Sequence, residues 1–114
     1  MNAKLSIREY LEPNGRNPFR EWLLAMDPHT RARIQARILR FEQGNLGDHK
    51  FVGHGVWEAK ADFGPGFRIY FGKAGHTLIV LLAGGSKGTQ SRDIRKAWDH
   101  WRDYEEAKKH DKTH

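Results

Sequence analysis

The stretch VWEAKADFGPGFRIYFGKAGHTLIVLLA, residues 56–83, decides the fold. Apolar and polar residues alternate over residues 56–62 and again over 67–72, which is the period of half-buried strands. Residues 63–66, Phe-Gly-Pro-Gly, predict the turn between these two strands. Residues 76–83 are apolar at both alternating sets of positions, as is typical of a strand in the middle of a sheet. The sequence therefore predicts three consecutive strands of a mainly antiparallel sheet.

The residues before this stretch predict one strand and two helices. Residues 3–12 alternate apolar and polar side chains and indicate a first strand. Asn17-Pro18 and Asp27-Pro28 each place a capping residue before a proline at the first helical position. The first helix is expected to end near Met26, and the second is expected to reach a C-terminal cap at Gly44. Together they predict an N-terminal helical hairpin.

The remaining segments complete one domain, residues 1–114. Residues 44–55 are rich in Gly, Asn and His and are assigned to a loop, as are residues 84–88. Thr89 is expected to cap a final helix that runs to about Lys108, with a frayed tail after it. The predicted order is β-α-α-β-β-β-α, an α+β fold with a C-terminal helix.

Composition narrows the classes of function. The chain has no cysteine, which excludes disulfides, zinc-thiolate sites and thiol nucleophiles. The longest apolar run, Thr77 to Ala83, is too short to span a bilayer, and no secretory leader pattern is present. We therefore expect a soluble, cytoplasmic protein that does not act at a membrane. A net charge of +6 and a pI near 9.8 favour an anionic partner.

Much of the excess positive charge lies on the second predicted helix. Arg33, Arg37 and Arg40 fall opposite an apolar stripe of that helix. The stripe consists of Ile34, Ile38, Leu39 and Phe41. The arginines form either an ordinary solvated face or a landing site for RNA phosphates, for which guanidinium groups are well suited.

Strand alternation places Lys60, Asp62, Arg68 and Tyr70 together on the outer, wet face of the predicted hairpin. Pairing Asp62 with Arg68 leaves a loop of five residues. These side chains form either a solvent-facing cross-strand ion pair or part of a catalytic site.

Other residues whose side chains could take part in binding or catalysis also have two interpretations. Trp98 and Trp101 share an apolar stripe of the last helix and indicate core packing, or else platforms on which bases stack. His54 is a solvated loop residue or an acid/base group. His49 and His54 lack a third ligand, so no metal site is expected.

Several segments together resemble a known family. They are Glu58-Ala59-Lys60, Gly64 to Phe71 (GPGFRIYF), Leu81 to Lys87 (LLAGGSK), and Gln90, Asp93, Ile94 and Ala97. In this combination the chain resembles the RelE/ParE toxin superfamily, most closely its phage-related addiction module killer protein branch, akin to HigB-type toxins. The resemblance covers nearly the whole chain and implies the RelE-like order of elements.

The resemblance implies the toxin of a type II toxin–antitoxin system. Such toxins are typically ribosome-dependent mRNA endonucleases that cut without a metal or other cofactor, by attack of the ribose 2′-hydroxyl on the adjacent phosphate. The implied partners are the ribosome, mRNA and a cognate antitoxin, often of helix-turn-helix type. Two alternatives stay open: a ParE-like inhibitor of DNA gyrase without nuclease activity, and a non-toxic nucleic-acid-binding module.

The resemblance also implies roles for individual residues. Lys60, Arg68 and Lys87 match the catalytic cations: Arg68 would bind the scissile phosphate, Lys60 would stabilise charge or act as base, and Lys87 would hold RNA or act as acid. The start of the last helix offers neither Tyr nor His, so His54 and Tyr70 are the candidate acid/base substitutes. Residues expected to contact RNA or the ribosome are Arg33, Arg37, Arg40 and Arg92.

Overall fold

A computed structural model describes residues 3–111 and shows an α+β fold built on a five-stranded sheet. The strands are β1 (Ser6–Glu9), β2 (His49–Gly53), β3 (Val56–Ala61), β4 (Phe67–Ala74) and β5 (Leu78–Ser86). The helices are α1 (Pro18–Leu24), α2 (Pro28–Glu42) and α3 (Gln90–Asp111), and a 3₁₀ turn, Lys87–Thr89, precedes α3. The strand order is β1-β5-β4-β3-β2, in which β1 runs parallel to β5 and the other neighbours are antiparallel.

The predicted helix starts are confirmed by their caps. The side chain of Asn17 accepts a hydrogen bond from the backbone N–H of Arg20 at 2.9 Å, and Asp27 does the same for Thr30 at 2.9 Å. These bonds satisfy N–H groups that the first turn of a helix leaves free. Gly44 follows the end of α2 with a φ of 85°, the left-handed conformation that a helix terminus favours in glycine.

Two segments that the sequence assigns to loops are strands. β2 lies within residues 44–55, so the order is β-α-α-β-β-β-β-α. Gly53, His54 and Gly55 all have positive φ and form the tight turn into β3, so the glycines mark a hairpin rather than a long loop. Gly84 and Gly85 continue β5 because helices pack onto them: a Cβ at Gly84 would lie 2.1 Å from the Trp22 side chain.

The sheet carries a hydrophobic cluster on each face. The cluster under α1 and α2 comprises Phe19, Leu23, Ile34, Phe41, Ala59, Ile69, Phe71, Ile79 and Leu81. The cluster under α3 comprises Tyr10, Val56, Tyr70, Val80, Leu82, Ala83, Ala97 and Trp101. The molecule thus has three layers, and the sheet is covered on both sides.

Helix α3 closes the second face. Trp101 is buried against Gly72, and Trp98 donates from Nε1 to the Val52 carbonyl at 3.2 Å, so the core interpretation of these tryptophans is confirmed. The Tyr10 hydroxyl donates to Oδ2 of Asp103 at 2.6 Å and joins the end of β1 to α3.

Two expectations about the helices are wrong. Residues 109–111 are helical rather than frayed, while residues 112–114 lie outside the described part of the chain. Leu39 is 59% exposed and does not belong to the apolar stripe of α2, because that stripe is carried by Ile34 and Phe41.

Candidate functional site

The β3–β4 ladder places Lys60 directly opposite Arg68. Ala61 pairs with Phe67 at the end of the ladder, so the connecting loop is residues 62–66 and the expected pairing of Asp62 with Arg68 is wrong. The observed register is shifted by two residues from the expected one, because Arg68 pairs with Lys60 instead of Asp62. Each side chain therefore stays on its expected face, and Lys60 and Arg68 lie side by side.

The expectation of a wet face is wrong for Arg68 and Tyr70. Arg68 is 8% exposed and Tyr70 is fully buried, because α3 packs across the face that the sequence leaves to solvent. Burial, reinforced by the nearby Glu58 carboxylate, raises the pKa of Tyr70. Its hydroxyl is closed off from solvent, so Tyr70 cannot reach a substrate in this structure. Lys60 and Asp62 stay exposed, with the Lys60 ammonium 3.9 Å from the Asp62 carboxylate.

A buried carboxylate, Glu58, organises this part of the sheet. Its Oε1 lies 3.9 Å from Nη1 of Arg68 and 3.9 Å from Nζ of Lys50, and its Oε2 accepts a hydrogen bond from Nε2 of Gln90 at 2.8 Å. Glu58 is 2% exposed, so it supplies a counter-charge to Arg68 away from water.

Sequence reasoning gave no role at the site to three of these residues, Glu58, Lys50 and Gln90. Glu58 could have been found, because it alternates with Lys60 along one strand and must share its face. Lys50 could not be found without recognising β2. Gln90 reaches the site only because α3 covers that face of the sheet.

The cations line two clefts that share residues. A cleft of about 270 Å³ is lined by Asp48, His49, Lys50, Glu58, Lys60 and Arg68. A groove of about 400 Å³ is lined by Arg33, Ala36, Arg37, Arg40, Asp48, Lys60, Ala61, Asp62 and Phe63. Because Lys60 and Asp48 border both, the surface from α2 to Arg68 is continuous. We call it the cationic groove.

The three arginines of α2 that line the cationic groove have different roles. Arg33 and Arg40 are exposed, and the Arg33 guanidinium lies 4.0 Å from the centre of the Phe63 ring, a cation–π distance. Arg37 is half-buried and donates from Nη2 to the carbonyls of Leu46 and Lys60, each at 3.1 Å. Burial lowers the pKa of Arg37 from its ordinary value. Arg37 therefore fastens α2 to the sheet, whereas Arg33 and Arg40 are available to a ligand.

Lys87 and Arg92 lie beside a separate cleft. Lys87 leaves β5 next to the turn at Gly66, at the same end of the sheet as Lys60 and Arg68. With Arg92 and Arg95 it lines a cleft of about 360 Å³ at the start of α3. Arg92 is exposed, with its Nε 3.8 Å from Oδ1 of Asp93. The structure thus brings Lys87 near the cationic groove but not into it.

His54 lies at the opposite end of the sheet. It sits in the β2–β3 turn, with its ring 4.5 Å from that of Trp98. The four residue steps from Val56 to Lys60 advance a strand by about 13 Å, so His54 cannot act on a group held at Lys60. The expectation that it serves the same site is wrong.

Among residues 3–111, no helix is long and apolar enough to cross a membrane. In the same range, no three His, Cys, Asp or Glu residues group as a potential metal site. A segment of 80 residues, 69% of this chain, is 41% identical to a protein of Haemophilus influenzae described as uncharacterized and covers 81% of that protein. No protein-family model matches the chain.

Proposed function

The chain belongs to the same family as the Haemophilus influenzae protein, and from its cationic groove we propose that it is the toxin of a type II toxin–antitoxin pair. In this proposal it has a RelE-like fold with one added edge strand, works in the cytoplasm, and cuts mRNA on the ribosome without a metal. Its other partner is a cognate antitoxin of helix-turn-helix type.

One observation carries the proposal: Lys60 borders both the groove lined by the α2 arginines and the cleft that contains the buried Arg68–Glu58 pair. A single RNA strand could contact Arg33, Arg40 and Lys60 through successive phosphates while one phosphate enters the cleft above Arg68. Phosphate contacts of this kind give affinity and position without reading sequence. Phe63 adds an aromatic ring beside the phosphate path.

The proposed reaction is an internal transfer at phosphorus. Water takes the proton of the ribose 2′-hydroxyl as this oxygen attacks the adjacent phosphate and forms the O2′–P bond of a pentacoordinate phosphorane. The P–O5′ bond then breaks, the 5′-oxygen takes a proton from water, and a 2′,3′-cyclic phosphate and a 5′-hydroxyl remain. Arg68 would hold the phosphate oxygens with its planar guanidinium group. Lys60 is exposed beside it and would stabilise the added negative charge. Lys87 would hold the RNA as it leaves the cleft.

The test is tightly controlled expression followed by mapping of mRNA 5′ ends. Lys60→Gln is the informative variant, because Lys60 is exposed and its loss leaves the core intact. Lys4→Gln, which removes an exposed lysine outside the groove, is the matched control. We expect growth arrest and codon-phased cuts with the wild type and the control, and neither with Lys60→Gln.

Two outcomes would contradict the proposal. Growth arrest with a DNA-damage response and intact mRNA would identify a gyrase inhibitor. Unimpaired growth in the absence of any antitoxin would exclude both kinds of toxin.

A further inference from the structure

The strand β2 forms an edge of the sheet and has β3 as its neighbour. The backbone N–H of Lys60 donates to the carbonyl of Asp48 at 2.9 Å, which makes these two residues a hydrogen-bonded pair. Hydrogen-bonded and non-hydrogen-bonded pairs alternate along an antiparallel ladder. Lys50 and Glu58 are therefore the next bonded pair, and the N–H and C=O groups of His49 and Phe51 point outward.

The two faces of this edge have different chemistry. On the α2 side, Phe51 is 55% exposed and its ring lies 5.2 Å from that of Trp57. The Lys73 ammonium lies 4.0 Å above the Trp57 ring. On the α3 side, Lys50 is 66% exposed at the mouth of the cleft that contains Glu58. A strand placed beside β2 would thus meet an aromatic surface on one face and a cation on the other.

We propose that β2 is the docking edge for an extended acidic segment of a partner protein, which adds to the sheet as a sixth strand. Side chains of paired strands share a face, so its residue opposite Lys50 is acidic and its residue opposite Phe51 is apolar. The net charge of +6 favours an acidic partner. Outward backbone groups and alternating side-chain surfaces are the features that strand addition uses.

A second copy of this chain fits the same edge poorly. Pairing two β2 strands would bring Lys50 of each copy to one face, and edge lysines oppose such self-association. The bulge between Phe51 and Gly53 also interrupts the ladder and shortens the stretch that can pair.

The inference rests on the proposed function for its biological meaning, since a strand at this edge lies beside the mouth of the cleft lined by Lys50, Lys60 and Arg68. A segment of the neutralising partner docked there would keep RNA phosphates away from Lys60. The antitoxin is thus expected to carry a short segment in which acidic and apolar residues alternate.

The experiment uses the full chain and a short synthetic peptide of alternating Glu and Val with blocked ends. Backbone amide exchange is measured by NMR with and without saturating peptide. We expect the amides of His49 and Phe51 to become protected by about tenfold or more, while that of Lys50, already bonded to β3, changes little.

Three peptide controls leave the protein unaltered. A peptide N-methylated on the backbone groups that face β2 cannot form the ladder, and we expect its Kd to be weaker by about tenfold or more. A peptide with Lys in place of Glu tests the charge, and one with its Glu and Val residues in separate blocks tests the alternation. Both should bind more weakly than the alternating acidic peptide.

The inference would be overturned by no saturable binding, by equal binding of the N-methylated peptide, or by protection confined to the α2 side of the cationic groove. It would also be overturned by a dimer whose His49 and Phe51 amides are already protected without peptide. Protection of these amides by an RNA oligonucleotide but not by the peptide would also overturn it. None of these measurements involves ribosomes or mRNA cleavage, so failure here is distinct from failure of the proposed nuclease.

Discussion

Glu58 and Arg68 form an ion pair between adjacent strands, with 3.9 Å between Oε1 and Nη1, and both side chains are more than nine-tenths buried. Nη1 is beyond hydrogen-bonding distance of Oε1, and the Nε of Arg68 has no hydrogen-bond partner within residues 3–111. The buried positive charge of Arg68 is therefore stabilised by the nearby Glu58 carboxylate more than by any hydrogen bond. Losing that carboxylate would leave a cation buried beside the core.

Glu58→Gln is accordingly expected to lower the free energy of unfolding by about 3 kcal/mol. Urea denaturation monitored by tryptophan fluorescence measures this difference. Lys50→Gln is the control: it removes the exposed cation that faces the same carboxylate, and it should cost less than about 1 kcal/mol. A smaller loss for Glu58→Gln than for the control would contradict the dependence of Arg68 on Glu58.

Gly72→Ala should destabilise the packing of α3 on the sheet. A Cβ at Gly72 would lie 2.3 Å from Cε3 of the buried Trp101 ring, so the helix would have to shift. Overpacking of this kind costs about 1–3 kcal/mol, measured as the change in unfolding free energy. Gly88→Ala is a matched control, because the nearest atom to its Cβ would be 3.9 Å away. Equal stability of the two variants would show that the Trp101 contact is easily relieved.

The double variant Arg33→Gln/Arg40→Gln should flatten the salt dependence of binding to single-stranded RNA. Each lost phosphate contact reduces the slope of log K against log salt by about 0.7, so we expect a reduction of about 1.4. Filter binding over a range of salt concentrations measures this slope. The control Arg8→Gln/Arg102→Gln removes the same charge outside the groove and should keep the wild-type slope. Arg37 is left intact because it fastens Leu46 and Lys60.

We expect His100 to lower the stability of the folded state at mildly acidic pH. Its ring stacks on Tyr10 at 4.9 Å, and burial lowers the pKa of His100 below its ordinary value of 6.5, against the opposing pull of Glu12, Asp99 and Asp103. As the pH falls through 6.5 the unfolded chain takes up a proton that the folded chain does not, so the folded state loses stability down to the lowered native pKa.

His100→Gln should therefore reduce the loss of Tm between about pH 7.5 and 5.5, measured by thermal unfolding. The exposed His29 provides the comparison, since His29→Gln should leave the wild-type pH dependence in place. Parallel Tm profiles for wild type and His100→Gln would show that the His100 environment does not govern this range.

The sequence predicted those parts of the fold that depend on local patterns. Asn17-Pro18 and Asp27-Pro28 start helices, and the hairpin around Gly64 to Gly66 places Lys60 and Arg68 on one face, although Arg68 pairs with Lys60 and not with Asp62 as predicted. The position of α3 could not be read in this way. An amphipathic helix shows which of its own sides is buried but not which face of a sheet receives it.

That ambiguity accounts for the wrong exposure predicted for Arg68 and Tyr70. Tyr70 and Arg68 alternate like exposed residues, yet α3 buries both. β2 was overlooked for a different reason: its five residues lie among glycines, and the pattern of a short edge strand is weak.

The hydrogen bond from Tyr10 to Asp103 joins residues 93 positions apart, and β1 likewise pairs with β5 late in the chain. Contacts this distant in sequence form slowly and cannot form on a nascent chain until both segments have been synthesised. Gln90, which completes the surroundings of Glu58, comes from α3. A nascent chain can therefore complete the surroundings of the Glu58–Arg68 pair only after α3 has been synthesised and has docked on the sheet.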